Sequence, residues 1–369
     1  MVRWRLGGYG SRLVPRPAEP PRHSLCSRSL LYHGSPFASS AGATKRTLGN
    51  LASLQEAIAF ARSRQLKLFV LGGGSNLLVA DAGWPGVVVK IAIRGIDQRD
   101  GADGNVLFEV GAGESCDEFV GRSVAANCAG IECLSGIPGS VGGTPVQNVG
   151  AYGQEVSDTI ESVQVFDLRD NQVRELCAEA CGFAYRTSIF NTSERGRFVV
   201  LRVTYALISG GTPRLEYADL KRHFEGNPGP TLAEVREAVR QIRARKGMLI
   251  VEGDPDCRSA GSFFKNPVLS EDQHQDLQRR AAGKGLAVPS YPALERNRKV
   301  SAAWLVEHAG FSRGYNLGHA GISSKHALAI VNRGGATAAE ILALKDQIQS
   351  RVEEVWGIQL QPEPVFVGV

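Results

Sequence analysis

From residue 50 onward, apolar and polar positions alternate in patterns that predict short elements of both kinds. In "SLQEAIAFARSRQL" the apolar residues recur at helical spacing. Ser53 and Glu56 stand three apart, as in a capping box, so a short amphipathic helix is expected. "KLFVLGGGSNLLVA" reads as a strand, a triple-glycine turn and a second apolar run, and "GWPGVVVKI" and "NVLFEVGAG" read as further strands. Residues 115–129 predict a helix with Phe119, Val120, Val124 and Ala125 on one side. "SVQVFD" and "FVVLRVTYAL" predict strands, and residues 232–246 a basic helix. A last helix opens at Thr337 with Glu340 as box partner, its stripe formed by Ile341, Leu344, Ile348, Val352 and Val355. The chain ends in the extended "IQLQPEPVFVG". Because the elements alternate without a regular βαβ rhythm, the expected class is α+β rather than doubly wound.

Composition narrows the picture. With 369 residues, 43% hydrophobic and 21% charged, the chain is expected to be globular with two or three domains. No apolar run approaches the roughly 20 residues that cross a bilayer, so membrane insertion is not expected. The 7 cysteines form no CxxC pair, and Cys177 and Cys181 have no histidine beside them to suggest zinc. Reduced thiols and no metal are the expectation.

Charge is unevenly placed. Of 42 basic and 37 acidic residues, residues 1–46 hold seven arginines, Lys45 and a single acid, Glu19, leaving a nearly neutral body. A nucleic-acid partner would require a basic folded surface, so none is expected. The basic stretch leaves three readings open, a targeting segment, a misread start and a disordered extension without a targeting role; the last is favoured.

Two glycine-rich loops carry the first chemical signal. "LGGGSN" (71–76) follows a strand, yet it lacks GxGxxG spacing, a receiving helix and a GK[ST] sequence, so neither the dinucleotide fingerprint nor a P-loop fits. Taken alone it reads first as a tight turn without a ligand, although its successive N–H groups also suit an anion nest. "SGIPGSVGG" mixes Ile137, Pro138 and Val141 among its glycines, which is unlike a flexible linker. A planar cofactor against ordered, glycine-lined backbone accounts for both loops. "GSFFKNP" (261–267) is open to two readings, an ordinary amphipathic strand and the rigid edge of a binding site.

The blocks "LGGGSNLLV", "LSGIPGSVGG…VQNVGAYG", "FAYRTSIF", "RSAGSFFKNP", "KHALAIVN" and "LQPEPVFVG", in this order, resemble the UDP-N-acetylenolpyruvoylglucosamine reductase (MurB) family. "RLEYADLKR" and "VPSYPALE" resemble its longer form. The resemblance implies a two-lobed FAD-binding module of the vanillyl-alcohol-oxidase type and a C-terminal α+β substrate-binding domain. It implies non-covalent FAD, NADPH as electron donor, and a cytoplasmic enzyme that reduces UDP-N-acetylglucosamine enolpyruvate to UDP-N-acetylmuramate for peptidoglycan. No obligate protein partner is implied. The expected division is a basic extension (1–46), a first lobe (47–114), a second lobe (115–246) and a substrate domain (247–369) whose last strand returns to the active site.

Site residues follow by the same resemblance. The cofactor is expected against Gly72, Gly73, Gly74, Ser75 and Asn76 in the first loop. In the second loop it is expected against Gly136, Ile137, Pro138, Gly139, Ser140, Gly142 and Gly143, then Asn148, Gly150, Ala151 and Tyr152. In the family's reaction, hydride adds to an enol ether and negative charge develops on the neighbouring carbon and its carboxylate. That charge calls for a cation, here Arg186, whose fork suits bidentate contact, with Glu363 on the opposite side. Ser262 is the implied proton donor and Tyr185 a hydrogen-bonding neighbour. Asn266, Lys246, Tyr217 and Tyr291 are the implied substrate contacts, and both nucleotides are expected to use one site in turn.

The chain also departs from the family. A "WRLGGYGSRLV" segment at 4–14 lies farther from the triple glycine than the family's pattern has it, and "KGMLIVEGDPDC" adds residues before the serine block. A defective first lobe would leave a flavin-binding scaffold without turnover, the alternative reading. A third, an alcohol- or lactone-oxidising relative, is disfavoured by the lack of a His or Cys placed for flavin attachment.

Overall fold

The structure, a computed structural model, describes residues 44–369 apart from Pro228. The expected basic extension up to residue 43, with its glycine-bearing segment at 4–14, lies outside the described residues. Thr44–Leu48 is a strand, pairing in parallel with Gly86–Ile91, so Lys45 and Arg46 belong to a sheet rather than to an extension. Lys67–Leu71 pairs in parallel on the other side of Gly86–Ile91, giving a three-stranded sheet. The central strand is almost wholly apolar because both its faces are covered. Helix α1 (Leu51–Ser63) packs Leu54, Ala57, Ile58 and Ala61 inward. Its cap is Asn50 rather than Ser53: Asn50 Oδ1 accepts the Ser53 N–H at 2.9 Å, and Asn is as strong a cap as Ser.

An antiparallel sheet follows, ordered Gln172–Cys177, Ile160–Asp167, Phe198–Ser209, Asn105–Gly111 and Ile96–Asp100, with Cys128–Ala129 beside the long strand. Ile96–Asp100 and Asn105–Gly111, assigned by the sequence to the first lobe, therefore pair within the second. Helix α2 (Cys116–Ala125) buries Phe119 and Val120 against this sheet. The short α3 (Ala218–His223) and the basic α4 (Leu232–Arg245) form a satellite cluster on Leu220, Val235, Val239 and Ile242.

The C-terminal unit packs α5 (Glu271–Ala282), α6 (Ala302–His308) and α7 (Ala338–Trp356) around small antiparallel sheets. Its core centres on the fully buried Trp356, whose indole N–H donates to the Leu305 carbonyl at 3.1 Å. Thr337 and Glu340 form the expected capping box, and Ile341, Leu344, Ile348 and Val352 face inward. The final strand, Val365–Val367, leaves this unit and pairs in parallel with Leu77–Val79 in the first lobe. No helix among the described residues is long and apolar enough to cross a membrane. The six cysteines described are free.

Candidate active site

One continuous cavity of about 1800 Å³ lies where the three units meet. Along one wall the two glycine loops touch. A Cβ on Gly73 would come within 2.5 Å of the Gly139 Cα, and one on Gly72 within 2.8 Å of Ser140 Oγ. Glycine is thus required first for loop-on-loop contact, and the joined backbone then faces the cavity. Ser75 Oγ donates to the Pro138 carbonyl at 3.1 Å and closes the junction. The second loop is fixed from below by the buried Thr144 and Tyr205 hydroxyls, 2.7 Å apart. A Cβ on Gly143, by contrast, would meet nothing within 4 Å. Ser140 Oγ is buried and has no hydrogen-bond partner among the described residues.

The residues expected to take part in the reaction line this one cavity. Phe263 and Phe264 are buried and anchor "GSFFKNP", so Ser262 reaches the cavity edge. Main-chain bonds hold the segment on both sides: Phe263 N–H donates to Leu328 O at 2.8 Å, and Glu363 N–H donates to Phe263 O at 2.9 Å. The stretch is a rigid edge of the site rather than an amphipathic strand. Tyr185 and Arg186 sit at the tip of a two-residue turn closed by reciprocal bonds between Ala184 and Thr187, with Arg186 at a φ of 54°.

Arg186 is already engaged. Its Nε lies 3.1 Å from Glu363 Oε1, and Nη2 donates to the Gly150 carbonyl at 2.8 Å. The fork expected to take a carboxylate with two donors is turned toward the protein, with Nη1 only weakly held, 3.5 Å from the Asn148 carbonyl. Burial pushes the Glu363 carboxyl above its usual range, and Arg186 and Lys265 offset only part of that rise. Burial likewise raises the Tyr185 hydroxyl, whose ring carries Lys299 Nζ 4.7 Å from its centre.

At the mouth, Lys246 pairs with Asp219 at 2.6 Å and lies about 6 Å from the ring centres of Tyr152 and Tyr217. The exposed Tyr291 lines the same mouth. Asn266 lines the cavity, while its Oδ1 accepts the Ala302 N–H at 2.9 Å.

Residues 254–367 match the family described as UDP-N-acetylenolpyruvoylglucosamine reductase, C-terminal domain, and residues 46–176 match an FAD binding domain. The chain is 46% identical over 330 residues to the UDP-N-acetylenolpyruvoylglucosamine reductase of Thermobifida fusca, covering 87% of this chain and 92% of that one. The chain belongs to this reductase family. The reductase of Saccharopolyspora erythraea is 45% identical, with 85% and 88% covered. The crystal structure of the family's enzyme from Thermus caldophilus superposes with a TM-score of 0.58 at 27% identity, covering 89% of this chain and 94% of that chain.

The cofactor of this family fits the residues present. The joined glycine loops line the cavity, the Ser140 hydroxyl there has no hydrogen-bond partner among the described residues, and Gly143 leaves room beside it. Of the positions expected at the cofactor, Gly136 and Asn148 do not line the cavity. Gly136 donates its N–H to Asp117 at 2.7 Å. The buried Asn148 side chain bonds Glu155, the Ala184 carbonyl and the Ser157 N–H, so it braces the loop from behind. The Asn76 amide is also taken up internally, by Gln147 at 2.6 Å and the Glu363 carbonyl at 3.3 Å.

Sequence reasoning missed several cavity residues. Gln147 reaches Glu363 at 3.5 Å. The half-buried Arg243 donates to the Gly136 and Met248 carbonyls. His326 Nε2 lies 3.5 Å from Ser262 Oγ. The block "KHALAIVN" was the available signal for His326, and nothing in it points toward the serine.

Proposed function

We infer that the chain reduces UDP-N-acetylglucosamine enolpyruvate to UDP-N-acetylmuramate at the expense of NADPH, with FAD held non-covalently, as a cytoplasmic step of peptidoglycan precursor synthesis. The observation that carries this reading is the convergence of Ser262, Arg186 and Glu363 on one cavity beside a glycine-lined wall. FAD held against the joined glycine loops would supply the redox chemistry, the exchange of hydride between NADPH and the enol ether.

The protein supplies the rest. Arg186 counters the charge that grows on the substrate carboxylate. Glu363, its carboxyl raised by burial and lying 3.1 Å from Arg186 rather than across the site from it, donates an O–H to the same developing charge. Ser262 gives its hydroxyl proton to the carbanionic carbon and regains one from solvent. Tyr185 hydrogen-bonds at the substrate's edge, and Lys246, Asn266, Tyr217 and Tyr291 take the diphosphate and nucleotide. The mouth that admits one diphosphate nucleotide serves the other in turn. Among the described residues nothing favours the scaffold reading, since Thr44–Leu48 pairs into the first-lobe sheet.

The test is anaerobic. Enzyme reduced by NADPH and mixed with the enolpyruvate substrate is expected to recover its oxidised flavin spectrum without oxygen. Ser262→Ala should slow that recovery by on the order of 100- to 1000-fold, and Glu363→Gln should slow it as well. A wild-type protein that stays reduced would sink the reading.

A further inference from the structure

We propose that His326 is a positioning residue for Ser262: its Nε2–H donates to Ser262 Oγ, turning the serine's own proton into the cavity and holding the oxygen's negative charge after that proton has left. The proposal rests on the reading of Ser262 as proton donor.

The backbone sets the pair. The segment carrying His326 is pinned to the serine segment by Phe263 N–H to Leu328 O at 2.8 Å, by a bridge between Ser259 and Val331, and by Asn332 N–H to Arg258 O at 2.9 Å. Ser323 Oγ accepts the N–H groups of Lys325 and His326, fixing the turn that aims the imidazole. Ser262 Oγ has no other hydrogen-bond partner among the described residues, so this contact alone sets its orientation. At 3.5 Å the contact is long for a hydrogen bond, and the proposed role requires it to tighten in the substrate complex.

In the proposed role the ring proton is assigned to Nε2. Burial, then Lys246 and Arg313, push His326 down to about 4, so the ring is neutral with one donor and one acceptor nitrogen. The nearby acids are engaged elsewhere: Asp254 with Lys325 at 2.5 Å, and Asp256 with Ser324 and Arg333. Without a carboxylate behind it, the imidazole is poorly placed to draw off the serine proton as a base. As a donor it leaves that proton free. The step balances simply. The Ser262 O–H bond breaks, a C–H bond forms at the substrate's carbanionic carbon, and water later returns a proton to the alkoxide held by the His326 N–H. Neither residue changes oxidation state.

The two half-reactions separate this role from a structural one. His326→Ala is expected to slow reoxidation by substrate on the order of 10- to 100-fold, the worth of one hydrogen bond to a charged oxygen. Reduction by NADPH and flavin content should stay unchanged, and the solvent isotope effect on reoxidation should grow. His326→Gln, which keeps an N–H donor, should recover most of the rate. Reoxidation of His326→Ala at the wild-type rate overturns the proposal, as does equal slowing of both half-reactions or a His326→Gln rate as slow as that of His326→Ala. If His326→Ala loses flavin, His326→Gln decides: near-wild-type reoxidation supports the role, and a rate like that of Ser262→Ala overturns it. Wild-type enzyme that substrate fails to reoxidise overturns the functional reading itself, a result distinct from wild-type turnover with an unaffected His326→Ala.

Discussion

Glu363 stands where burial and two cations pull a carboxyl in opposite directions, and burial prevails. Its protonated form therefore persists to higher pH than in an ordinary carboxylate. If that form donates to the developing charge, substrate-driven reoxidation is fastest below the raised pKa and falls as pH rises through it. Glu363→Gln should abolish this alkaline limb. Lys265→Gln, by removing a cation that holds the pKa down, should move the limb to higher pH. A single-turnover pH profile checks both shifts, and a limb that ignores Lys265 would contradict the assignment. Arg186 adds a cost of its own, since a non-glycine residue at a φ of 54° is held there against its preference. Nothing in "FAYRTSIF" announces that strain. The sequence suggested what kind of residue each of these is, and the turn decided which atoms remain free.

At the scale of elements, the glycine loops gain their shape from each other. Gly73→Ala would drive a methyl into the Gly139 backbone at 2.5 Å, an overpacking that costs about 1–3 kcal/mol. Gly143→Ala meets no protein atom within 4 Å and projects into the cavity. Gly73→Ala is therefore expected to lower both melting temperature and FAD retention, whereas Gly143→Ala lowers FAD retention and leaves the apoprotein's melting unchanged. Equal melting losses in both variants would show that the loops are not held by mutual contact. The helices were the most legible elements: Thr337 with Glu340, and Ile341 to Val352, appear as the periodicity required. The "GSFFKNP" stretch was ambiguous because its partners, Leu328 and Glu363, lie far along the chain.

At the scale of the molecule, the site exists because the C-terminal strand crosses back to the first lobe. Val365–Val367 pairs with Leu77–Val79, and Asp81 accepts the N–H of Ala338 at 2.7 Å, tying that lobe to the start of α7. Asn76 fastens Glu363 to this crossing. Asn76→Ala is expected to keep its FAD but to reoxidise on the order of tenfold more slowly, since its bonds to the Glu363 carbonyl and to Gln147 are lost. Loss of flavin with unimpaired chemistry would instead make Asn76 a direct cofactor contact. By itself the sequence determined the helices and strands, both glycine loops and the ordered blocks that carry the family, because periodicity, capping and motif spacing are local properties. Only the tertiary structure brought His326 to Ser262 across 64 positions, Gln147 to Glu363 across 216 and Asn76 to Glu363 across 287. Such contacts depend on how distant segments register in three dimensions, and residue order along a chain does not encode that register in any local pattern.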